Sequence, residues 1–298
     1  LVAAQMSHIR HTRTRKTATT IVFLSTWIDE AQHKRIRWSV MGRYYEGAKK
    51  RAEELGLGFE LFEFDRSNNA DSRIQEILHS RGIDGLVLAP LRFANSALDL
   101  KWDHFALSAI GYYNAYGNIH RVFYDNFECM QQVLNILVER GYKRIGFITN
   151  KETEARSGYH WSGSFLEFQS RILDEKDWVP LLRQENQESR YEKEDYDKVL
   201  DWYKRHKPEV IISFLDNTLN FLSNHGFKPK EDFGYVALSW TPEMKGCSGF
   251  HLSLETVGAT AVDILADRLY RNERGIPAHP NTSLLVGQFI EGDTLRNA

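Results

Sequence analysis

A repeated alternation of short apolar runs and helix-period segments constrains the fold of this 298-residue chain more than any other feature. Residues 20–25 form a β-branched and aromatic run that is typical of a buried strand, and the apolar residues between positions 41 and 55 recur at helical spacing. Strand-like runs return at 59–64, 84–90 and 105–110, with a second helical segment before residue 82. Short β-α-β connections of this kind predict a parallel sheet with helices on both faces.

The same pattern begins again in the second half of the chain. Asp125 can cap a helix that ends near Gly141, and strands are predicted at 144–149, 209–214 and 235–239. The tail then predicts one strand near 250–254, a helix that bears Val257 and Leu265, and one last strand near 283–290. We therefore expect two similar α/β halves that share a C-terminal extension.

Composition excludes several classes of protein. Hydrophobic residues make up 42% and charged residues 26% of the chain, as in ordinary globular proteins. No apolar run approaches the roughly 18 residues of a membrane helix, so no membrane segment is predicted. Cys129 and Cys247 are the only cysteines, and their separation offers neither a metal motif nor a disulfide framework. A reducing, cytoplasmic location fits best.

The net charge of −2 argues against a protein whose whole surface binds nucleic acid, but it allows a separate basic module. Residues 1–17 contain Arg10, Arg13, Arg15 and Lys16 within a polar stretch. Two interpretations stay open. The segment is a solvated tail, or it is the end of a linker from a DNA-binding module.

The search for catalytic motifs gives negative results. The sequence contains no G-x-G-x-x-G after the first strand, no G-x-x-x-x-G-K-[ST], no H-E-x-x-H and no G-x-S-x-G. No metal site, no cofactor and no enzymatic activity are therefore predicted.

Aromatic and polar residues follow the predicted strands. In open parallel sheets, ligands bind beyond the carboxyl ends of the strands, where aromatic faces contact sugars or bases and polar groups orient hydroxyls. The predicted ligand-contact residues are Trp27, Trp38, Arg92, Tyr112, Arg156, His160, Asp216 and Trp240. The four aromatic residues would form flat walls, and the other four would orient polar groups. Any of these aromatic residues could instead cover a sheet end, and Trp38 could start the first helix and pack in the core.

Four segments together resemble the lac-repressor-type (LacI/GalR) transcription regulators. Residues 84–90, DGLVLAP, are similar to that family's DGIIL-x-P strand, and 125–148 resemble its DN…L-x-x-x-G-H-R-x-I-x-x-I segment. Residues 214–217 occupy the place of its x-N-D step, and 254–261 resemble its x-x-x-x-G-x-x-A helix. The resemblance covers about residues 18–296, and the order and spacing of the segments carry it.

The resemblance implies a periplasmic-binding-protein-like type I fold, in which two Rossmann-like α/β lobes with parallel sheets are joined by three crossovers. It implies an N-terminal lobe of 18–123 plus 251–276 and a C-terminal lobe of 124–250 plus 277–298, after a linker remnant at 1–17. It further implies an effector-binding domain that dimerises and binds a small, carbohydrate-like ligand in the inter-lobe cleft. Ligand binding would change operator affinity through an N-terminal helix-turn-helix that this chain lacks.

The chain also departs from the family pattern. His160 stands where the family commonly has an Arg three residues before a Gly, and Arg156 is the nearby substitute. Leu238-Ser239-Trp240 replaces a G-[FY]-D step whose Asp often holds the ligand. Residues 289–295 are a divergent form of the last strand. These departures predict an atypical, more aromatic pocket.

Two other functions remain as alternatives at this point. A solute-binding protein of a transport system would share the fold, although the basic segment at 1–17 and the lack of a secretory signal argue against it. An enzyme on this scaffold would need His160, Asp216 and neighbouring groups in one pocket.

Overall fold

The computed structural model describes residues 19–25, 40–64, 71–91, 98–112, 117–185, 193–214 and 217–297. Its strands are β1 (Thr20–Ser25), β2 (Gly58–Glu63), β3 (Ile83–Leu88), β4 (Ala106–Ile110), β5 (Arg121–Tyr124), β6 (Ile145–Asn150), β7 (Leu182–Gln184), β8 (Val210–Ser213), β9 (Gly234–Ala237), β10 (Gly249–His251), β11 (Thr282–Leu285) and β12 (Gln288–Ile290). Its helices are α1 (Val40–Glu54), α2 (Asp71–Ser80), α3 (Asn126–Glu139), α4 (Lys151–Arg156), α5 (His160–Ile172), α6 (Lys193–His206), α7 (Thr218–Asn224) and α8 (Leu254–Arg271).

The described strands form two six-stranded sheets. One has the order β11-β5-β4-β3-β1-β2, and the other has the order β12-β10-β9-β8-β6-β7. The pairs from β1 to β5 and from β6 to β9 are parallel, as is β9 with β10, whereas β10 and β12 are antiparallel. The predicted fold class, two Rossmann-like halves of parallel strands flanked by helices, is confirmed.

The chain divides into two compact units and passes from one to the other after Phe123, Ser253 and Ser283. We refer to the unit that contains β1 as unit 1 and to the other as unit 2. The lobe boundaries expected from the resemblance, at 250/251 and 276/277, differ from the passages after Ser253 and after Ser283. The physical reason is strand pairing. His251 is the last residue of β10 in the second sheet, and the carbonyl of Asn281 accepts a hydrogen bond from Arg121 N in unit 1.

Helices cover both faces of the sheet in unit 1. A side chain placed at Gly85 of β3 would contact Leu265 of α8, at 3.2 Å. The next residue, Leu86, points to the opposite face and clusters with Ile74 and Leu78 of α2. Because both faces are buried, the central strands are continuous apolar runs, which explains why they were recognisable in the sequence.

Unit 2 has the same layered construction. Phe147 of β6 packs against Phe165 of α5, with 5.5 Å between the ring centroids. On the opposite face, a side chain at Gly146 would lie 2.4 Å from the Trp202 ring of α6. Asp125 caps α3 as predicted, because its Oδ1 accepts a hydrogen bond from Glu128 N at 3.0 Å.

The sequence prediction was wrong about three strands. The single last strand expected near 283–290 is two short strands, β11 and β12, which belong to different sheets. β5 and β7 were not predicted at all. β5 has four residues and β7 has three, and segments this short carry little periodic signal.

Candidate functional site

Four of the eight predicted ligand-contact residues lie outside the described residues: Trp27, Trp38, Arg92 and Asp216. The other four are Tyr112, Arg156, His160 and Trp240. Tyr112 belongs to unit 1, whereas the other three belong to unit 2. All four lie beyond the carboxyl ends of strands, which is where ligands bind in open parallel sheets.

Tyr112 lies just beyond β4, after a sharp turn at Gly111. The φ of +105° at Gly111 is a conformation that favours glycine, and Gly111 N donates to the carbonyl of Val122 in β5. The Tyr112 ring meets the Phe123 ring edge-to-face at 5.1 Å, and the Arg121 guanidinium lies 5.5 Å from its centroid. These contacts hold the Tyr112 ring against β5.

The turn after β6 is built from polar side chains. Asn150 caps α4, because its Oδ1 accepts a hydrogen bond from Thr153 N at 2.7 Å. The hydroxyl of Thr149 donates to Glu154 Oε1 at 3.1 Å, and both residues are fully buried. Among the described residues, Glu154 Oε2 has no hydrogen-bond partner. A buried carboxylate oxygen without a partner is costly, so this edge of the sheet favours a hydrogen-bond donor.

Arg156 and His160 follow on consecutive helices. Arg156 ends α4 and forms an ion pair with Glu152 at 2.9 Å, with 39% of its side chain exposed. His160 begins α5 and is partly buried. Three residues separate the two helices, and the last of them, Tyr159, has a φ of 62°, in the left-handed region. The segment that follows β6 thus contains a guanidinium, at Arg156, and an imidazole, at His160.

Trp240 has a clear packing role. Its indole Nε1 donates to the carbonyl of Cys247 at 2.9 Å, and its ring meets that of His251 edge-to-face at 5.6 Å. A side chain at Gly249 would lie only 2.6 Å from Trp240 Cβ. The indole N–H is therefore used within the protein, and only the ring surface is available for the predicted wall.

The strands that precede these unit 2 residues lie near one another in the sheet. β6, which precedes Arg156 and His160, is two strand positions from β9, which precedes Trp240. At ~4.8 Å per strand, the two turns are about 10 Å apart.

Buried polar residues at this edge were not among the predicted contacts. They are Thr149, Glu154, Ser213 and Thr218, and the hydroxyls of Ser213 and Thr218 are 3.3 Å apart. A polar residue near the end of an otherwise apolar strand, as in Thr149 and Ser213, is the signal that could have identified them. Glu154 carries no such signal, since its burial depends on packing of α4 against β6.

The described residues contain no group of three or more His, Cys, Asp or Glu side chains that could hold a metal ion. Within the same residues, no helix combines the length and the apolar character needed to cross a membrane.

No protein-family model matches this sequence, and no curated protein matches it. Solved structures do match over nearly the whole chain. The transcription regulator CcpA of Lactococcus lactis is 16% identical, with a TM-score of 0.65, and the match covers 94% of this chain and 100% of that chain. The complex of the transcription regulator CelR with cellobiose is also 16% identical, with a TM-score of 0.66 and coverage of 98% and 89%.

The lac repressor dimer bound to operator and the anti-inducer ONPF is 13% identical, with a TM-score of 0.66 and coverage of 99% and 97%. Identities this low establish similarity of fold. The resemblance that the sequence motifs indicated is therefore matched in three dimensions: this chain has the LacI-like, periplasmic-binding-protein-like type I fold found in solved structures of transcription regulators.

Proposed function

We propose that this chain is the effector-sensing and dimerisation domain of a LacI-type transcription regulator that binds a carbohydrate-like ligand. One observation carries the proposal. Polar and aromatic side chains collect at the carboxyl ends of the strands, within a fold that a cellobiose-bound regulator shares. The bound cellobiose belongs to the CelR structure, and we extend carbohydrate binding to this chain by analogy of fold.

In this proposal, ligand hydroxyls are oriented by Arg156 and His160 and by the undescribed Arg92 and Asp216. The flat walls are Tyr112, the ring surface of Trp240, and the undescribed Trp27 and Trp38. Arg156 would keep a charge-assisted hydrogen bond for the ligand in addition to its bond to Glu152.

The ligand acts by differential affinity. A ligand that binds one conformation of the domain better than another shifts the equilibrium between them by that difference. A coupling of ~1–3 kcal/mol would change operator affinity about 5- to 150-fold. DNA contact belongs to a helix-turn-helix ahead of this domain, and a regulator of this kind acts as a homodimer in the cytoplasm.

The first experiment measures ligand binding to the chain by thermal denaturation with cellobiose, glucose, galactose, ribose and trehalose. A ligand at 100 times its Kd stabilises the folded state by about 2.7 kcal/mol, which is a readily measured rise in Tm. Arg156→Ala should weaken binding of the active sugar by tenfold or more, because a charged hydrogen bond is lost.

Arg171→Ala is the matched control. Arg171 and Arg156 each pair with a glutamate four residues earlier, and both are about half exposed, but Arg171 lies in the last turn of α5. The control should bind the sugar with unchanged affinity. Equal weakening in both variants would refute the assignment of Arg156.

The second experiment measures operator affinity of the complete protein with and without the active sugar. A change in affinity supports the regulator. Ligand binding by a complete protein that binds no DNA would overturn the proposal in favour of a solute-binding protein.

A further inference from the structure

His120 lies at the start of a strand that leaves unit 1. It directly precedes β5, and its backbone carbonyl accepts a hydrogen bond from Ala109 N of β4 at 2.9 Å. Its imidazole Nδ1 accepts a hydrogen bond from the backbone N–H of Asn281, also at 2.9 Å. Asn281 directly precedes β11, so the His120 side chain links the first residues of two strands that are far apart in sequence.

These two strands carry two of the three passages between the units. The chain leaves unit 1 after Phe123 in β5 and again after Ser283 in β11. Apart from the imidazole, a backbone hydrogen bond joins the same two segments, from Arg121 N to the carbonyl of Asn281 at 3.0 Å. The geometry around His120 thus fixes the beginnings of both connecting segments.

The other imidazole nitrogen faces a buried cation. His120 Nε2 lies 2.7 Å from a guanidinium nitrogen of Arg268, whose side chain is 6% exposed. Within the part of the chain that the structure describes, Arg268 forms one ion pair, with Glu273 at 2.9 Å, and its Nε has no hydrogen-bond partner. Asp267 is the further charged group near the imidazole, whereas the neighbours from β4 and from the segment before β11, Ala109 and Asn281, are uncharged.

The chemistry of imidazole makes this arrangement sensitive to protons. Neutral histidine has one bare nitrogen and can accept one hydrogen bond, from Asn281 or from Arg268, depending on the tautomer. The imidazolium has N–H on both nitrogens and can accept from neither. After protonation, both imidazole N–H groups would face other hydrogen-bond donors, the amide N–H of Asn281 and the guanidinium of Arg268. Protonation would also place a second positive charge beside Arg268.

The surroundings already disfavour the charged form. Burial lowers the pKa of His120, and the positive charge of Arg268 lowers it further, against weaker opposition from Glu273 and Asp267. A base whose pKa is lower in the folded state contributes stability above its unfolded pKa of ~6.5, and this contribution is lost as pH falls toward the folded value.

We propose that His120 is a proton-sensitive tie, in which the neutral imidazole holds the amide of Asn281 and the imidazolium releases it. Acidification would remove the side-chain hydrogen bond between the start of β11 and the start of β5, the segments that lead from unit 1 to unit 2, and would leave the backbone bond from Arg121 N to the Asn281 carbonyl in place. The inference rests on contacts within unit 1 and is independent of the proposed function.

The test is NMR spectroscopy of the whole chain between pH 7.5 and 5. Side-chain resonances report the protonation of His120, and amide hydrogen exchange reports the hydrogen bond of Asn281. After correction for the intrinsic effect of pH on exchange, the protection of the Asn281 amide should fall about two- to tenfold as His120 is protonated, which is the value of one net hydrogen bond.

Two variants complete the experiment. In His120→Gln the side-chain oxygen can accept the same hydrogen bond but does not titrate, so the protection should no longer depend on pH. His79→Gln removes an exposed histidine of α2 in the same unit and should behave like the unaltered protein. The proposal is overturned if His120→Gln shows the same loss of protection on acidification. It is equally overturned if His120 is protonated while the Asn281 amide keeps its full protection, or if His120 stays neutral down to pH 5.

Discussion

Replacement of Gly258 by alanine tests how α8 is held in unit 1. An ideal Cβ at Gly258 would lie 1.9 Å from the carbonyl oxygen of Tyr44 and 2.9 Å from Ala48 N, both in the backbone of α1. The same close approach occurs at Gly47, whose Cβ would lie 1.9 Å from the carbonyl oxygen of Glu255. The two helices therefore touch through backbone atoms, which cannot rotate away as a side chain can.

The magnitude follows from two opposing effects. Real Cβ atoms do not come within 3.0 Å of such neighbours, so the helices must separate by about 1 Å at Gly258. Overpacking of this kind costs ~1–3 kcal/mol, and the rigid backbone partners place Gly258→Ala at the upper end. Alanine is the better helix former by ~1 kcal/mol. We expect a net loss of about 2 kcal/mol in the free energy of unfolding.

Differential scanning calorimetry and urea unfolding would measure this loss. For a unit of this size, ~2 kcal/mol corresponds to a decrease in Tm of about 4–8 °C. Two units can unfold in separate transitions, and in that case the decrease should affect the transition of unit 1.

Gly163→Ala is the matched control, since Gly163 also lies inside a helix, α5. Apart from its chain neighbours and the backbone of its own helix, a Cβ there would have no atom of the described residues within 4 Å, and Gly163 is exposed. This substitution should stabilise the protein by up to about 1 kcal/mol. The reasoning is refuted if Gly258→Ala is as stable as the unaltered chain, or if both substitutions destabilise it equally.

Three further predictions concern unit 2. Trp240→Ala should destabilise the protein by about 2 kcal/mol in urea unfolding, because packing and the bond to the Cys247 carbonyl are lost, and an unchanged stability would contradict this packing role. Burial raises the pKa of Cys129 to about 11, so in a Cys247→Ser background iodoacetamide should label it at pH 8 only as the protein unfolds, and rapid labelling of folded protein would contradict this. Hydrogen bonds from Arg140 lower the pKa of Glu291. The unaltered protein should therefore have a higher free energy of unfolding than Glu291→Gln at pH 7, and this difference should shrink below a pH of about 4.3. A difference of equal size at pH 7 and pH 4 would refute the prediction.

The alternation of apolar runs and helical segments predicted the fold well. Strands buried on both faces, such as β3, must be continuously apolar, and their helices need an apolar stripe, so the local pattern reflects the layered architecture directly. Capping is equally local, which is why the role of Asp125 was predictable. The motifs between residues 84 and 261 added the family resemblance, and the solved structures share the fold that it implied.

The candidate site was predictable only as a set of positions beyond strand ends. Which of those positions belong to the same compact unit depends on the tertiary structure, and Arg156, His160 and Trp240 all belong to unit 2. The burial of Glu154 and the use of the Trp240 indole N–H depend on how α4 packs on β6 and on how residues 240–249 fold back.

The sequence by itself thus determined the type of the secondary-structure elements, their approximate order and the class of fold, because each depends on neighbours a few residues apart. Only the tertiary structure decided that the tail supplies one strand to each sheet, that Gly258 meets the backbone of Tyr44, and that His120 binds the amide of Asn281. The contacts of Gly258 and His120 join residues more than 100 positions apart, and β12 pairs with β10 from Gly249↔Ile290 to His251↔Gln288. The free energy of such contacts arises from complementary packing and hydrogen bonding that no local pattern encodes.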